Sequence, residues 1–280
     1  LTVNCSLLTA HCSLLTAHCS LFKLMSVIEE IHNANALIVG ASRGIGLGFV
    51  KALLQDSDIA KIYATYRNDD SATELISLQS EYSQKLVCLS MDITQEAQIS
   101  TAVEKISAET DKLHLVINCV GILHEGEMNP EKSLRQINPE NLMRYFQVNS
   151  IGGVLLAKHL QPLFKHKEKN IFACISAKIG SIGDNRLGGW YGYRASKAAL
   201  NMFMKTTAIE YSRRCPKTIV VTLHPGTTNT NLSQPFQRNV PPEKLFPVEH
   251  TVKLLLGVIS NLKPEDSGEF FSWDGSRLPW

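Results

Sequence analysis

From residue 35 onward, short apolar runs alternate with longer segments of helical period. The runs are ALIV (36–39), KIYATY (61–66), KLVCLS (85–90), LHLVIN (113–118), NIFACIS (170–176), TIVVTL (218–223) and EFFSW (269–273). Between most of them lie helix-length segments at 44–55, 71–82, 94–110, 138–166 and 193–213. A strand that is apolar at nearly every position is buried on both faces, as in a parallel sheet covered above and below by helices. Right-handed βαβ crossovers join such strands. No linker rich in Pro, Gly or Ser interrupts 25–280. The pattern predicts one α/β domain, Rossmann-like, with a seven-stranded, mostly parallel sheet and helices on both faces.

The first 24 residues stand apart from this pattern. Residues 5–20 read CSLLTAHCSLLTAHCS, a perfect seven-residue repeat. A coiled-coil heptad would carry charged flanks, whereas Ser, Thr and His fill those positions. One frame of a tandem TCACTGC heptanucleotide reads TCA CTG CTC ACT GCT CAC TGC, which encodes Ser-Leu-Leu-Thr-Ala-His-Cys, the repeat itself. Residues 1–24 therefore read as translated repetitive DNA outside the fold, with Met25 as initiator and 25–280 as the domain. The rival reading, a signal peptide, would need a positive n-region and a long apolar h-region, and the tract has neither.

Composition narrows the function classes. The 280 residues carry 28 basic and 26 acidic side chains, a net charge of +2, and 44% are hydrophobic, enough for a large core. No apolar run approaches the roughly 18–20 residues that span a bilayer, so no membrane partner is expected. With no basic cluster, nucleic acid is not expected either. Three of the seven cysteines (Cys5, Cys12, Cys19) belong to the repeat. The others, Cys88, Cys119, Cys174 and Cys215, have no CxxC or metal-ligand spacing, so no metal is expected and reduced thiols fit a cytoplasmic protein.

Three features carry chemistry. In ALIVGASRGIGLGFVKALL, Gly40, Gly44 and Gly46 lie between a strand and a helix, with Ser42, Arg43 and Ile45 in the same turn. Glycines there allow a tight turn and close backbone approach, so a pyrophosphate can meet the helix N-terminus. The second strand ends Thr65-Tyr66-Arg67-Asn68, with no acid before Asp69 to accept from a ribose 2′-hydroxyl. A guanidinium at Arg67, flanked by Arg43, suits a 2′-phosphate, which favours NADP(H) over NAD(H). In WYGYRASKAALN, Tyr193 and Lys197 lie four apart and share a helix face. A nearby ammonium favours phenolate and should lower the tyrosine from its usual value near 10, making it an acid–base group near neutrality.

Together with Asn118-Cys-Val-Gly121 and His224-Pro-Gly-Thr-Thr-Asn-Thr230, these motifs resemble the short-chain dehydrogenase/reductase family over nearly all of 36–280. Within it, KIGSIGDNRLGGWYGYRASKAALN and the tail PEDSGEFFSWDGSRLPW look like the branch of C-factor-like proteins and sniffer-type carbonyl reductases. The resemblance implies an NAD(P)H-dependent oxidoreductase reducing an aldehyde or ketone, Tyr193 giving the proton and Lys197 also bonding the nicotinamide ribose. The alternative is a cofactor-binding signalling protein of C-factor type with little turnover.

The resemblance also implies further roles. Asp92 would contact adenine, its other reading being a helix cap. Asn118 and Gly121 would line the cofactor, and Asn149 would anchor a proton-relay water. Pro225, Gly226, Thr228 and Thr230 would fix the nicotinamide carboxamide. The family's catalytic serine falls in register on Ala177, within Ser176-Ala177-Lys178-Ile179-Gly180. Ser176, re-aimed by a bulge, or Ser181 would have to replace it. Trp190, Arg186 and Phe236 flank the expected substrate cleft without an assigned role. A homodimer or homotetramer is implied through helices 138–166 and 193–213, whose Leu155, Leu156, Leu200, Met202, Phe203 and Met204 offer apolar surface.

Overall fold

The computed structural model describes residues 31–280, so the repeat and Met25 lie outside the described residues. The main sheet comprises β1 (Ala34–Val39), β2 (Ile59–Tyr66), β3 (Leu86–Ser90), β4 (Leu115–Asn118), β5 (Asn170–Ile175), β6 (Thr218–His224) and β9 (Phe270–Ser272). The strands lie in the order β3-β2-β1-β4-β5-β6-β9, and every neighbouring pair is parallel. Each predicted apolar run is a strand, and the helices are α1 (Gly44–Leu54), α2 (Thr73–Glu81), α3 (Glu96–Glu109), α4 (Pro139–Phe146), α5 (Gly152–Leu160), α6 (Tyr191–Arg214) and α7 (Val248–Ser260). Helix α7 lies beyond the five predicted helical segments. Two-residue strands β7 (Thr227–Thr228) and β8 (Leu245–Phe246) form a separate small pair.

Side-chain alternation along the strands builds two cores. Ala36, Ile38, Leu115 and Ile117 face one side, against Phe49 and Leu53 of α1 and Leu255 and Ile259 of α7. Leu37, Val39 and Val116 face the other, against Ile99 of α3, Leu156 and Leu160 of α5, and Leu200 and Met204 of α6. This corrects the expectation about apolar surface for self-association. Leu156, Leu200 and Met204 fill the core, while Met202, 65% exposed, stays outside it.

The predicted long helix at 138–166 is divided. Asn138 caps α4, its Oδ1 accepting from the Asn141 N–H at 2.9 Å, and Pro139 occupies the first helical position. A π-turn at Gln147–Ile151 separates α4 from α5, and a 3₁₀ turn at Gln161–Phe164 follows. Such a turn inside a helix often marks a functional position. Here it holds Asn149.

Candidate active site

The strand order reverses direction at β1 and β4, which opens a crevice at their carboxyl ends, where ligands bind in open α/β sheets. The glycine turn leads from β1 into that crevice. A Cβ on Gly46 would lie 2.1 Å from the Gly40 carbonyl oxygen, so the residue must be glycine for the helix to start this close to the strand. Arg43, in extended conformation at the α1 N-cap, makes no side-chain cap bond to the helix N–H groups. Thr65 of β2 supplies a side-chain hydrogen bond to the turn. Its hydroxyl accepts from the Gly40 N–H at 3.3 Å. Across the turn, Thr230 packs over Gly44, 3.3 Å from where a Cβ would sit. The Thr228 hydroxyl shares a buried hydrogen bond with Thr251 at 2.9 Å. Pro225 is buried, and Gly226, with positive φ, packs beneath Phe246 and Trp273. A turn with glycine at 40, 44 and 46, a helix start with no side-chain cap and a threonine-bearing loop across from it fit a dinucleotide.

At the end of β2, Arg67 is exposed and contacts Glu125 at 3.4 Å. Glu125 is gripped more firmly by Arg144, at 2.8 and 3.1 Å, and this pairing holds its carboxyl below the usual range. Sequence reasoning missed Glu125 because 58 residues separate it from Arg67. Asp92 does act within the turn that precedes α3. Its Oδ1 accepts from the Thr94 N–H at 2.9 Å and the Thr94 hydroxyl at 2.8 Å.

Beside the crevice, α6 presents Tyr193 and Lys197, 7% and 3% exposed. Lys197 Nζ donates to the Ile175 carbonyl at the end of β5, 3.0 Å away, and lies 5.9 Å from the Tyr193 ring centre. A Cβ on Gly121 would come within 3.2 Å of Nζ and 3.5 Å of Asn149 Oδ1, so glycine keeps that space clear. Asn149 holds both sides of the Ile122 peptide, accepting from its N–H at 2.7 Å and donating to its carbonyl at 2.9 Å. It also donates to the Ser196 hydroxyl at 3.0 Å, which in turn donates to the Tyr193 carbonyl. Asn118 Oδ1 accepts from the Val120 N–H at 3.1 Å, ordering the segment that leads to Gly121. The turn after β1, the ends of β4 and β5, the π-turn and α6 therefore converge on one crevice.

The expected lowering of Tyr193 is corrected. Burial raises its pKa above the ordinary tyrosine range, and the neighbouring Tyr145 adds to the rise. Burial also pushes Lys197 down to about 8. A buried ammonium whose hydrogen bond goes to a backbone carbonyl gives the phenolate little help, so desolvation dominates.

The short chain dehydrogenase family profile matches residues 34–241. The chain belongs to the short-chain dehydrogenase family. It is similar to the NADPH-bound carbonyl reductase from chicken fatty liver, 29% identical with a TM-score of 0.80 over 90% of this chain and 96% of that one. It is also similar to the carbonyl reductase Sniffer of D. melanogaster, 27% identical with a TM-score of 0.78 over 89% of this chain and 100% of that one. The C-signal of Myxococcus xanthus is 30% identical over 148 residues, 53% of this chain and 84% of that protein.

In this short-chain dehydrogenase, β5 leads directly into Ser176 and Ala177. Ser176 Oγ donates to Asn201 Oδ1 at 2.7 Å, two helical turns beyond Tyr193, and no bulge turns it back. Ala177 instead packs against the cluster formed by Tyr193, Tyr145, Leu123 and Met128. Ser181 is buried and its hydroxyl accepts from the Asp184 N–H at 3.1 Å. Trp190 and Phe236 close the same cluster, their rings 5.0 Å apart, whereas Arg186 is exposed. Trp190 holds φ at 53°, a left-handed conformation that costs a non-glycine residue roughly 1–2 kcal/mol.

A second group of titratable residues lies at the opposite end of the sheet. His114, His166 and Glu168 bring ligand atoms within 4.8 Å of one another. His114 Nδ1 accepts from the Asn35 N–H at 3.0 Å, so its Nε2 carries the proton and donates to Glu168 at 2.7 Å. A metal on Nε2 would require a proton on Nδ1, aimed at another N–H. His114 and Glu168 are thus already joined by hydrogen bonds to each other and to Asn35 and Lys112.

Proposed function

We propose that this short-chain dehydrogenase is an NADPH-dependent reductase of aldehydes or ketones with Tyr193 as proton donor. The observation that carries the reading is the pair of buried side chains, Tyr193 and Lys197, one helical turn apart beside the glycine turn. When bound, the dinucleotide supplies a hydride to the carbonyl carbon. Tyr193 gives its proton to the carbonyl oxygen, completing the alcohol, and later regains one from solvent. Its raised pKa keeps it in the neutral, donating form. Lys197, bonded to the Ile175 carbonyl, would hold the ribose hydroxyls. Asn149 orients the segment from Gly121 to Ile122. Gly40, Ser42, Gly44, Ile45 and Gly46 would cradle the pyrophosphate, while Asp92 and Asn118 border the adenosine side and Pro225 to Thr230 the nicotinamide side. Ser176 is not given a catalytic part, because its hydroxyl is committed to Asn201.

Arg67 and Arg43 support the NADPH preference, and the similar chicken carbonyl reductase is NADPH-bound. The signalling alternative would leave the Tyr193–Lys197 pair without purpose. The four cysteines of the described residues are all free, which suits a reducing, cytoplasmic setting, and among these residues no helix is long and apolar enough to cross a membrane. We also infer self-association through the outer faces of α4 and α6, where Met143, Met202 and Ile209 stand exposed, and we take 25–280 as the folded unit.

Tyr193→Phe tests the mechanism. Carbonyl-dependent NADPH oxidation should fall by about 10²–10⁴-fold, the range of general acid–base catalysis, with NADPH affinity retained. Unchanged turnover would overturn it.

A further inference from the structure

We infer that Arg194 is a positioning residue, which locks Trp190 in place as a wall of the substrate site. Gly188, Gly189 and Trp190 hold φ at 64°, 66° and 53°, three consecutive left-handed residues directly before α6. Glycine adopts this conformation freely, but tryptophan does not, so the turn persists only where its surroundings determine it. Arg194 supplies that determination. Its Nε donates to the Gly189 carbonyl at 2.9 Å, one terminal nitrogen to the Gly188 carbonyl at 3.0 Å, and the other to the Ile179 carbonyl at 3.2 Å. One planar fork therefore ties the turn to the segment that follows β5. Lysine, with a single nitrogen and no plane, has no equivalent of this grip.

A second anchor comes from the opposite side. The Trp190 N–H donates to the Glu131 carbonyl at 2.5 Å, and the Glu131 carboxylate accepts from the Gly192 N–H at 3.1 Å. Glu131 is buried, and its second carboxylate oxygen has no hydrogen-bond partner. Between these two anchors, the indole stands edge-on to Tyr193 at 6.2 Å and to Phe236 at 5.0 Å. The strain falls on the one residue whose ring reaches both the proposed acid and the segment after β6. The wall is flat and apolar, with Leu123, Met128 and Leu232 completing it. It suits a carbonyl carried on a flat apolar group and gives little to a short aliphatic one. Arg194 itself points to backbone carbonyls and sets this preference without touching substrate.

This inference rests on the carbonyl-reductase reading for its kinetic arm only. The first arm needs no turnover. In a chain carrying Trp273→Phe and Trp280→Phe, Trp190 is the only tryptophan, since the sequence has three. Acrylamide quenching of its fluorescence should rise at least about twofold in Arg194→Lys, with the folded far-ultraviolet circular dichroism preserved, as expected once the rigid fork is lost. Unchanged quenching would overturn the positioning role. The second arm compares NADPH-linked reduction of an aromatic aldehyde with that of a short aliphatic aldehyde. Arg194→Lys and Trp190→Ala should each raise KM for the aromatic substrate about tenfold, with a smaller rise for the aliphatic one, the pattern of lost uniform binding. Equal shifts for both aldehydes in Trp190→Ala would overturn the wall. If the unmodified protein reduces neither aldehyde, the reductase reading fails, and the quenching arm alone still decides whether Arg194 holds Trp190.

Discussion

Two turns feed helices into the same crevice, and they are built on opposite principles. The turn between β1 and α1 works by leaving out side chains at Gly40, Gly44 and Gly46. Gly46 meets the Gly40 carbonyl so closely that no side chain fits. The turn before α6 works by accumulation, with Arg194 and Glu131 gripping a strained backbone from two sides. A Cβ on Gly188 would meet nothing within 4 Å, so only conformation, not space, restricts that position. The first turn can approach any dinucleotide phosphate through backbone alone. The second displays one particular ring. On the reading proposed above, the first turn serves the cofactor and the second the substrate.

The harshest test of this contrast is Gly46→Ala. The added methyl group has no room, so NADPH binding should be lost by more than about 100-fold, or the chain should fail to fold, as for other substitutions that overpack a tight site. Fluorescence titration with NADPH and circular dichroism would check this, and near-normal binding would show that the turn gives way. The next largest effect is expected in the pH profile. Lys197, with its pKa held down to about 8 by burial, is charged below that value and neutral above it. If its charge supports proton transfer, reduction should decline as pH rises through about 8, by about tenfold per pH unit beyond it. A rate that is flat up to pH 10 would remove Lys197 from the chemistry.

Arg67→Ala should produce a smaller change, weakening NADPH relative to NADH by roughly 1.5–3 kcal/mol, the range for a lost charge-assisted contact. Parallel titrations of the two cofactors decide it, and equal losses would make Arg67 a partner of Glu125 only. The smallest expected effect is none. A chain beginning at Met25 should keep the melting temperature and the dimeric or tetrameric state of the full chain. Light scattering that shows only monomer would overturn self-association, and a melting temperature several degrees lower would mean that the repeat supports the fold.

Most of the fold was legible because strands buried on both faces are apolar at nearly every position, and all seven runs became strands. Helix α7 was not among the predicted segments, and β7 and β8, at two residues each, are too short to carry a period. At the site, the glycine spacing and the Tyr193–Lys197 interval were readable because local spacing is itself the geometry. Thr65, Glu125, Glu131 and Arg194 were not, since each acts on a partner that the fold delivers. Arg194 lies within the motif YRASK, yet nothing in the motif says that its fork will find carbonyls at 179, 188 and 189. Just past β5, the Ser176 hydroxyl bonds Asn201 and Ala177 packs with Tyr193, a division the expectation of a catalytic Ser176 did not contain.

The π-turn at Gln147–Ile151 has a consequence for how this segment tolerates change in length. Each α-helical residue advances the chain by about 100° around the axis, and a π-turn holds one residue more than an α-turn. Helices α4 and α5 are therefore out of phase by about that angle. The offset lets Leu156 and Leu160 point into the sheet core while Tyr145 reaches the Leu123 carbonyl at 2.7 Å and packs under Gly192. Losing one codon within 147–151 would give a more regular helix, and so a gain in local order. It would also swing Tyr145 away from the Leu123 carbonyl whenever α5 stayed seated. The irregular turn behaves as a spacer fixed at a single length, and the segment is closed to deletions that an ordinary surface helix would survive.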